Sequence, residues 1–331
     1  MPAPTVPEVF RRMADDFERG GSPLYARLAR EHADDPLLAR VVGGSDAGWE
    51  LPLRLFGGVH YLALAGVEED PWSELPRVLA DRREWLARFV AEQPVQTNEV
   101  QRSWGMLPGF LAVAAGAVGM RLDLVELGPS GGLNLVWDRY RYTYGAASWG
   151  PEDAALELSG QVRRAPPAAL FGVEAAVGAR VGVDRRPVDV TSDHGARLLQ
   201  AFVWADQEHR LDRVRRAIAV VRASPPLLVE GDFVELLPGL LADRDAEALT
   251  VVFDSTSTVY LPHEAVAELR ATMEEAGAHG PLGWVSCELA PAADEPYNAF
   301  SLEAQVWPGG ERRLLARLDG HANWLDWVGG R

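Results

Sequence analysis

Leu124–Leu135, LVELGPSGGLNL, joins an apolar strand pattern to a cluster of glycines and then to a helical pattern. Leu124, Val125 and Leu127 have the composition of a buried parallel strand. Gly128, Gly131 and Gly132 let a backbone approach a ligand closely, and Leu133 to Trp137 resume an apolar helical pattern. A strand that runs through a glycine-rich turn into a helix predicts a nucleotide-like ligand at the turn. Glu126, separated by one residue from the first glycine, departs from a dinucleotide fingerprint; in S-adenosylmethionine sites an acid there can accept from the ligand's amino group. The same letters also parse as Gly128-Pro129-Ser130-Gly131-Gly132, the G-x-S-x-G of a hydrolase nucleophile elbow.

Outward from this stretch the hydrophobic period differs on the two sides. Residues 1–120 read as helices, with apolar stripes at Val9, Phe10, Met13 and Phe17, at Leu24, Tyr25 and Leu28 behind a Ser22 cap, and at Trp85, Leu86, Phe89 and Val90. Pro52 to Gly66 is apolar nearly all round and predicts a buried helix. Ser103 to Met120 predicts another, too short and broken for a membrane span. Between them, Thr97 or Asn98 of Gln96-Thr97-Asn98-Glu99 is placed to cap the helix that leads to the glycine turn. The acidic run Glu68 to Asp70 reads as solvated surface.

From Leu122 strands alternate with helices, the signature of an open parallel sheet. Strands are expected at Ala179–Val183, Leu227–Glu230, Leu249–Phe253 and Gly283–Leu289, with helices at Asp193–Ala223 and His263–Ala276. Arg139 to Tyr144 alternates strictly, putting Tyr140, Tyr142 and Tyr144 on one face. With Leu156 to Val162 it predicts an inserted hairpin within about 138–178. Phe300–Trp307 and Arg312–Leu318 flank Pro308-Gly309-Gly310 as a terminal antiparallel hairpin, which separates the methyltransferase version of this architecture from the dinucleotide version. The expected organisation is therefore α/β: an all-α cap over 1–120, then a Rossmann-like methyltransferase-type sheet over 121–331.

Three acids fall at the carboxyl ends of successive strands, where open parallel sheets bind ligands: Glu126, Asp184 and Asp232. A carboxylate only accepts, which matches a ribose diol for Asp184 and an adenine amino group for Asp232, with Phe233 as a face for the ring. Each also suits a helix cap. Gly128, Ser130, Gly132 and Asn134 complete the expected cofactor contacts. The separation of Glu126 from Asp184 far exceeds the ~20 residues of a simple nucleotide fold, and the inserted hairpin absorbs the excess.

Composition removes whole classes of chemistry. All 32 basic residues are Arg, so Schiff-base lysines, Walker-type P-loops and Ser-Lys dyads are excluded. The net charge of −16 argues against a phosphate-backbone partner. Cys287 is the only cysteine, which rules out intrachain disulfides and fits a reducing cytoplasm. No leader pattern opens the chain, and seven histidines occur without metal-ligand spacing, so neither a membrane nor a metal is expected. Chain order permits a triad of Ser130, Asp254 and one of His263, His279 or His321. The strands and oxyanion loop that precede such an elbow are missing upstream.

Four segments resemble a known family: VQTNEV at Val95–Val100, VELGPSGGLNLVWDRYRYTYG at Val125–Gly145, VGVDRRPVDVT at Val181–Thr191 and VEGDFVELLP at Val229–Pro238. Over nearly its whole length the chain is similar to the bacterial domain-of-unknown-function family numbered twenty-three thirty-two. That resemblance implies a helical front, a methyltransferase-like back and, through the wider class I methyltransferases, S-adenosylmethionine on Glu126, Gly128, Gly132, Asp184 and Asp232. The chain departs from the methyltransferase motif at Ser130, where glycine is usual, and shows no evident helix between its last parallel strand and the hairpin.

The resulting expectation is methyl transfer to a small molecule, with His60, Asn98, Glu99, Asp254 and Tyr260 on the substrate side. His60, inside an apolar helix, equally suits a satisfied core histidine. A binding protein that senses a nucleotide or metabolite is the alternative from another class, and a hydrolase using Ser130 is the third. Oligomeric state is left open.

Overall fold

The computed structural model describes residues 4–45, 48–96, 98–290 and 299–329. The helices in chain order are α1 (Val6–Arg19), α2 (Pro23–His32), α3 (Pro36–Val42), α4 (Leu51–Leu64), α5 (Leu75–Asp81), α6 (Arg83–Glu92), α7 (Gln101–Ala115), α8 (Asp193–Ala201), α9 (Glu208–Ala223), α10 (Phe233–Ala242) and α11 (His263–Ala278). The strands are β1 (Arg121–Leu127), β2 (Arg141–Tyr144), β3 (Ala147–Trp149), β4 (Glu157–Ser159), β5 (Gln161–Arg164), β6 (Val177–Asp184), β7 (Leu227–Glu230), β8 (Ala248–Ser255), β9 (Leu282–Leu289), β10 (Ala299–Trp307), β11 (Arg313–Asp319) and β12 (Trp324–Trp327). Among the described residues no helix is long and apolar enough to cross a membrane.

Two compact units are present, Met1–Thr97 with Asp189–Arg215, and Asn98–Val188 with Arg216–Arg331. The division thus falls before α7 rather than at residue 120, and a later piece of chain joins the helical unit.

In the first unit the expected stripes are the core: Val9, Phe10, Met13 and Phe17 of α1 pack with Tyr25 and Leu28 of α2, Phe56 of α4 and Leu86 of α6. Ser22 caps α2 by accepting from the Tyr25 amide at 3.3 Å. α4 is apolar all round because both sides are covered. A Cβ on Gly57 would lie 3.0 Å from the Phe202 ring and one on Gly58 3.0 Å from Phe89. The helix expected over Asp193–Ala223 is two helices, broken at residues 202–207. Inside the break, His60 Nδ1 lies 2.9 Å from the Val203 carbonyl oxygen and 3.3 Å from that of Ala201, so a buried side chain holds peptide groups that a continuous helix would have used itself. Glu68 is not solvated as expected. It is 5% exposed and paired with Arg77 at 2.8 Å and Arg82 at 2.7 Å.

The second unit is built on a nine-stranded, mostly parallel sheet in the order β5-β12-β11-β10-β9-β8-β1-β6-β7. β7, β6, β1, β8 and β9 are mutually parallel, and β9, β10, β11 and β12 are joined antiparallel. The expected terminal hairpin is β10 and β11; β12 was not expected. One face of the sheet is covered by a core of Val125, Leu127, Val183 and Val252 against Phe233, Leu237, Leu269 and Met273 of α10 and α11. On the other face, Gly105 and Gly109, one turn apart, bring α7 close. Added Cβ atoms would meet Leu318 at 2.6 Å and Val285 at 2.9 Å.

The inserted segment departs from its expected hairpin. β2 pairs antiparallel with β3 and parallel with β4, and β5 leaves to extend the main sheet beside β12. Tyr140, Tyr142 and Tyr144, expected on one face, are all buried. Period two fixes which side chains share a face but not the partner strand. The connection between β9 and β10 falls on residues outside those described.

Candidate functional site at the carboxyl ends of β1 and β8

The chain leaves β1 on one side of the sheet for β6 and β7, then returns on the other for β8 and β9. The strand order therefore reverses between β1 and β8, and a crevice opens at such a reversal, at the carboxyl ends of the strands. The glycine turn stands there.

Three residues of the turn have left-handed backbone: Gly128 (φ 74°), Ser130 (φ 52°) and Gly132 (φ 71°). Gly128 must also lack a side chain, since a Cβ there would lie 2.8 Å from Ser257 Cβ. Beneath the turn, Gly182 of β6 leaves room for the Pro129 ring, which a Cβ would approach to 2.5 Å. Two side chains brace the turn. Asn98 donates from Nδ2 to the Pro129 carbonyl at 2.7 Å and accepts the Leu133 amide on Oδ1 at 3.2 Å. Asp184 accepts the Ser130 amide at 2.9 Å and the Arg186 amide at 2.8 Å.

No α-helix follows the turn, contrary to expectation. Asn134–Arg139 is a 3-10 helix whose Val136 leaves helical geometry (φ −111°, ψ 26°). The Tyr140 and Tyr142 hydroxyls donate to the Leu133 and Trp137 carbonyl oxygens, each at 2.7 Å. They hold carbonyls that a continuing helix would have bonded internally. With no helix dipole or row of free amides at its back, the turn is poorly built for a pyrophosphate.

Glu126 lies on β1 between Gly182 and Phe253 and is 2% exposed. Asn134, which accepts from Ser103 Oγ at 2.7 Å, hydrogen-bonds this carboxyl, and Oε2 is left buried with no partner. Burial, with Asp184 and Asp254 adding negative charge nearby, pushes the group up to about 8, so it carries a proton at neutral pH. A cation placed there would release that proton.

The remaining expected contacts are engaged locally. Asp232 caps α10 by accepting from Val234 at 2.9 Å and pairs with Arg185 at 2.6 Å, which holds its carboxyl below the usual range. Phe233 packs into the core beneath the sheet rather than standing as an open face. Asp254 is fully buried at the end of β8, accepting from Trp284 Nε1 at 2.6 Å and Ser286 Oγ at 2.8 Å. Burial and the neighbouring Glu288 charge raise it well above a normal aspartate. Tyr260, in the short 3-10 helix Thr258–Tyr260 beyond β8, is 59% exposed. Glu99 accepts the Gln101 amide at 3.2 Å at the start of α7 and lies 3.4 Å from His321. The capping residue of α7 is Val100, Asn98 braces the turn, and the expectation at Thr97 lies outside the described residues. His60 belongs to the first unit. Burial lowers it to about 4, a neutral ring engaged with backbone.

Sequence reading missed Ser255, Thr256, Ser257 and Glu288. The Ser255, Thr256 and Ser257 hydroxyls and Glu288 Oε2 are enclosed and have no partner. Thr256 is held at φ 60°, an outlying conformation for a β-branched residue. The signal was available in DSTSTVY, where hydroxyls crowd directly behind a strand-end acid.

A family model described as "Uncharacterized protein conserved in bacteria (DUF2332)" matches residues 7–327, which includes both units and every residue of the site. The chain belongs to this family. DUF2332 is thereby the family of the whole 7–327 region, not of the sheet alone. Among curated proteins, none matches the chain.

Proposed function

We propose that this DUF2332 protein binds S-adenosylmethionine at the glycine turn and transfers its methyl group to a small molecule, using a Rossmann-like methyltransferase-type sheet. The observation that carries the reading is Glu126 Oε2, a buried oxygen without a partner, two residues before Gly128 of the turn and at the strand reversal. An ammonium such as that of the methionine moiety would satisfy it. The 3-10 helix behind the turn favours a ligand without phosphates over a dinucleotide. When bound, S-adenosylmethionine supplies an electrophilic methyl group, and the chain's part is to orient it and exclude water. Asp184 fits a ribose contact only through lone pairs left over from the Ser130 and Arg186 amides.

The hydrolase reading receives less support, because Asp254 is committed to Trp284 and Ser286 rather than to a histidine. Calorimetry with S-adenosylmethionine, S-adenosylhomocysteine, NAD and ATP tests the proposal. The first two should bind, and Glu126→Gln should weaken them about tenfold, the equivalent of ~1.4 kcal/mol. Binding of NAD or ATP in their place would reject it. Incubation with labelled methyl donor and a metabolite extract then separates transfer from sensing: binding without any methylated product would favour a sensor.

A further inference from the structure

The carboxyl ends of β8 and β9 hold a second arrangement that the glycine turn does not use. Asp254, Trp284, Ser286 and Glu288 share one face of the sheet, because Asp254 pairs in register with Ser286 and side chains alternate along β9. Glu126 lies on the opposite face, its neighbours Leu127 and Val125 pointing into the α10 and α11 core. Glu288 Oε1 accepts the amides of Ser257 at 2.8 Å and Thr258 at 3.0 Å, Oε2 is enclosed and receives no N–H or Ser/Thr O–H, and the carboxyl is hydrogen-bonded to that of Asp254. Ser257 is 8% exposed, its Oγ also lacks a partner, and its side chain stands against Gly128. Among the described residues no Arg or His pairs with Asp254 or Glu288, and the chain contains no lysine. Two carboxyls therefore meet in a largely buried position with hydroxyls beside them and no cation. Nor do the described residues bring together three His, Cys, Asp or Glu side chains able to hold a metal ion. Directly beyond β8, in the 3-10 helix Thr258–Tyr260, Val259 is 49% and Tyr260 59% exposed, two large apolar side chains next in the chain to Ser257 and Thr258.

We propose that Glu288, Asp254 and Ser257 form a subsite for a protonated amine carrying an apolar substituent. The missing cation is supplied by the ligand: its N–H groups donate to Glu288 Oε2 and Ser257 Oγ, and its apolar body rests on Val259 and Tyr260. Such charge-assisted bonds are the strong ones, and two carboxyls with no cation beside them disfavour an anionic ligand and favour a charged donor over a neutral alcohol. As the subsite of the methyl acceptor, this rests on the transferase reading above; as a cation-binding site it does not.

The probe is benzylammonium chloride, with benzyl alcohol as its neutral isostere, titrated by NMR into the whole protein without methyl donor. Chemical-shift changes should appear for benzylammonium and centre on Ser257, Thr258 and Glu288. Glu288→Gln, which keeps an acceptor for the Ser257 and Thr258 amides, should weaken binding about tenfold, and Ser257→Ala by a smaller factor. Equal binding of benzyl alcohol would overturn the subsite. So would wild-type affinity in a folded Glu288→Gln variant, or the absence of any response to benzylammonium, which would leave Asp254 and Glu288 a carboxyl pair sharing a proton. S-adenosylmethionine calorimetry on the same samples keeps the two proposals apart: donor binding without amine binding removes only the subsite, and amine binding without donor binding removes only the transferase.

Discussion

The side chain of Asn98 donates to the carbonyl oxygen of Pro129 at 2.7 Å, and the same amide group accepts from Leu133 at 3.2 Å, so one residue ahead of α7 clamps both ends of the glycine turn. Residues 31 and 35 positions further along the chain are thereby fixed by a single buried side chain. Asn98→Ala should leave a buried carbonyl and amide unpaired, each costing ~1–3 kcal/mol. Urea denaturation should show a loss of ~2–4 kcal/mol on that basis, and loss of ligand binding with it. An unchanged midpoint would show that the turn holds its shape without the clamp.

Asp184, the proposed ribose contact, already accepts two amides, so its removal acts on the turn before it acts on a ligand. Asp184→Ala should reduce stability by ~1.5–3 kcal/mol, the range for hydrogen bonds to a charged group, and should weaken S-adenosylmethionine. Asp184→Asn retains an acceptor and should recover part of the stability. Calorimetry that finds donor affinity intact in Asp184→Ala removes the ribose contact and leaves a purely structural carboxylate.

Glu126 makes stability depend on pH in a definite direction. Its ordinary value of 4.5 is raised by burial to about 8, so between these values the folded protein keeps a proton that the unfolded chain releases. Stability then falls as pH rises through that window and is lowest above about 8. Glu126→Gln should be more stable than wild type at pH 9 and little different at pH 4. Thermal melts that differ by the same amount at both would place the carboxyl in a normal titration range.

His60 works with the opposite sign. Burial lowers it from 6.5 to about 4, so the unfolded chain takes up a proton in that range that the folded protein does not. Stability is lost as pH falls from about 6.5 towards 4. His60→Gln, which can still donate to the Val203 carbonyl, should flatten this part of the profile. Retention of the full acid dependence would assign it to other groups.

Ser130 carries left-handed backbone at φ 52°, which costs a residue with a side chain ~1–2 kcal/mol relative to glycine. Ser130→Gly should therefore preserve the fold and leave S-adenosylmethionine binding in place. A fluorophosphonate probe should not label the wild type. Labelling that disappears in Ser130→Ala would establish the hydrolase.

Most of the elements are written in local sequence. Apolar periodicity along α1, α2, α4 and α6 and the buried run of β1 depend on neighbours in the chain, and the conformational demand at Gly128 is equally local. Helical caps such as Ser22 and Asp232 were likewise written within three residues. Tertiary structure decided how polar groups were spent. It gave Asn98 and Asp184 a bracing role at the glycine turn, because the Pro129, Ser130 and Leu133 backbone comes to them only in the folded unit. The expected helix after the turn became a 3-10 helix because Tyr140 and Tyr142 take its carbonyl oxygens. It also left Glu126, Ser257 and Glu288 enclosed with unpaired oxygens. An unpaired buried oxygen is a relation among segments distant in sequence, and no periodicity or spacing along one chain can register it.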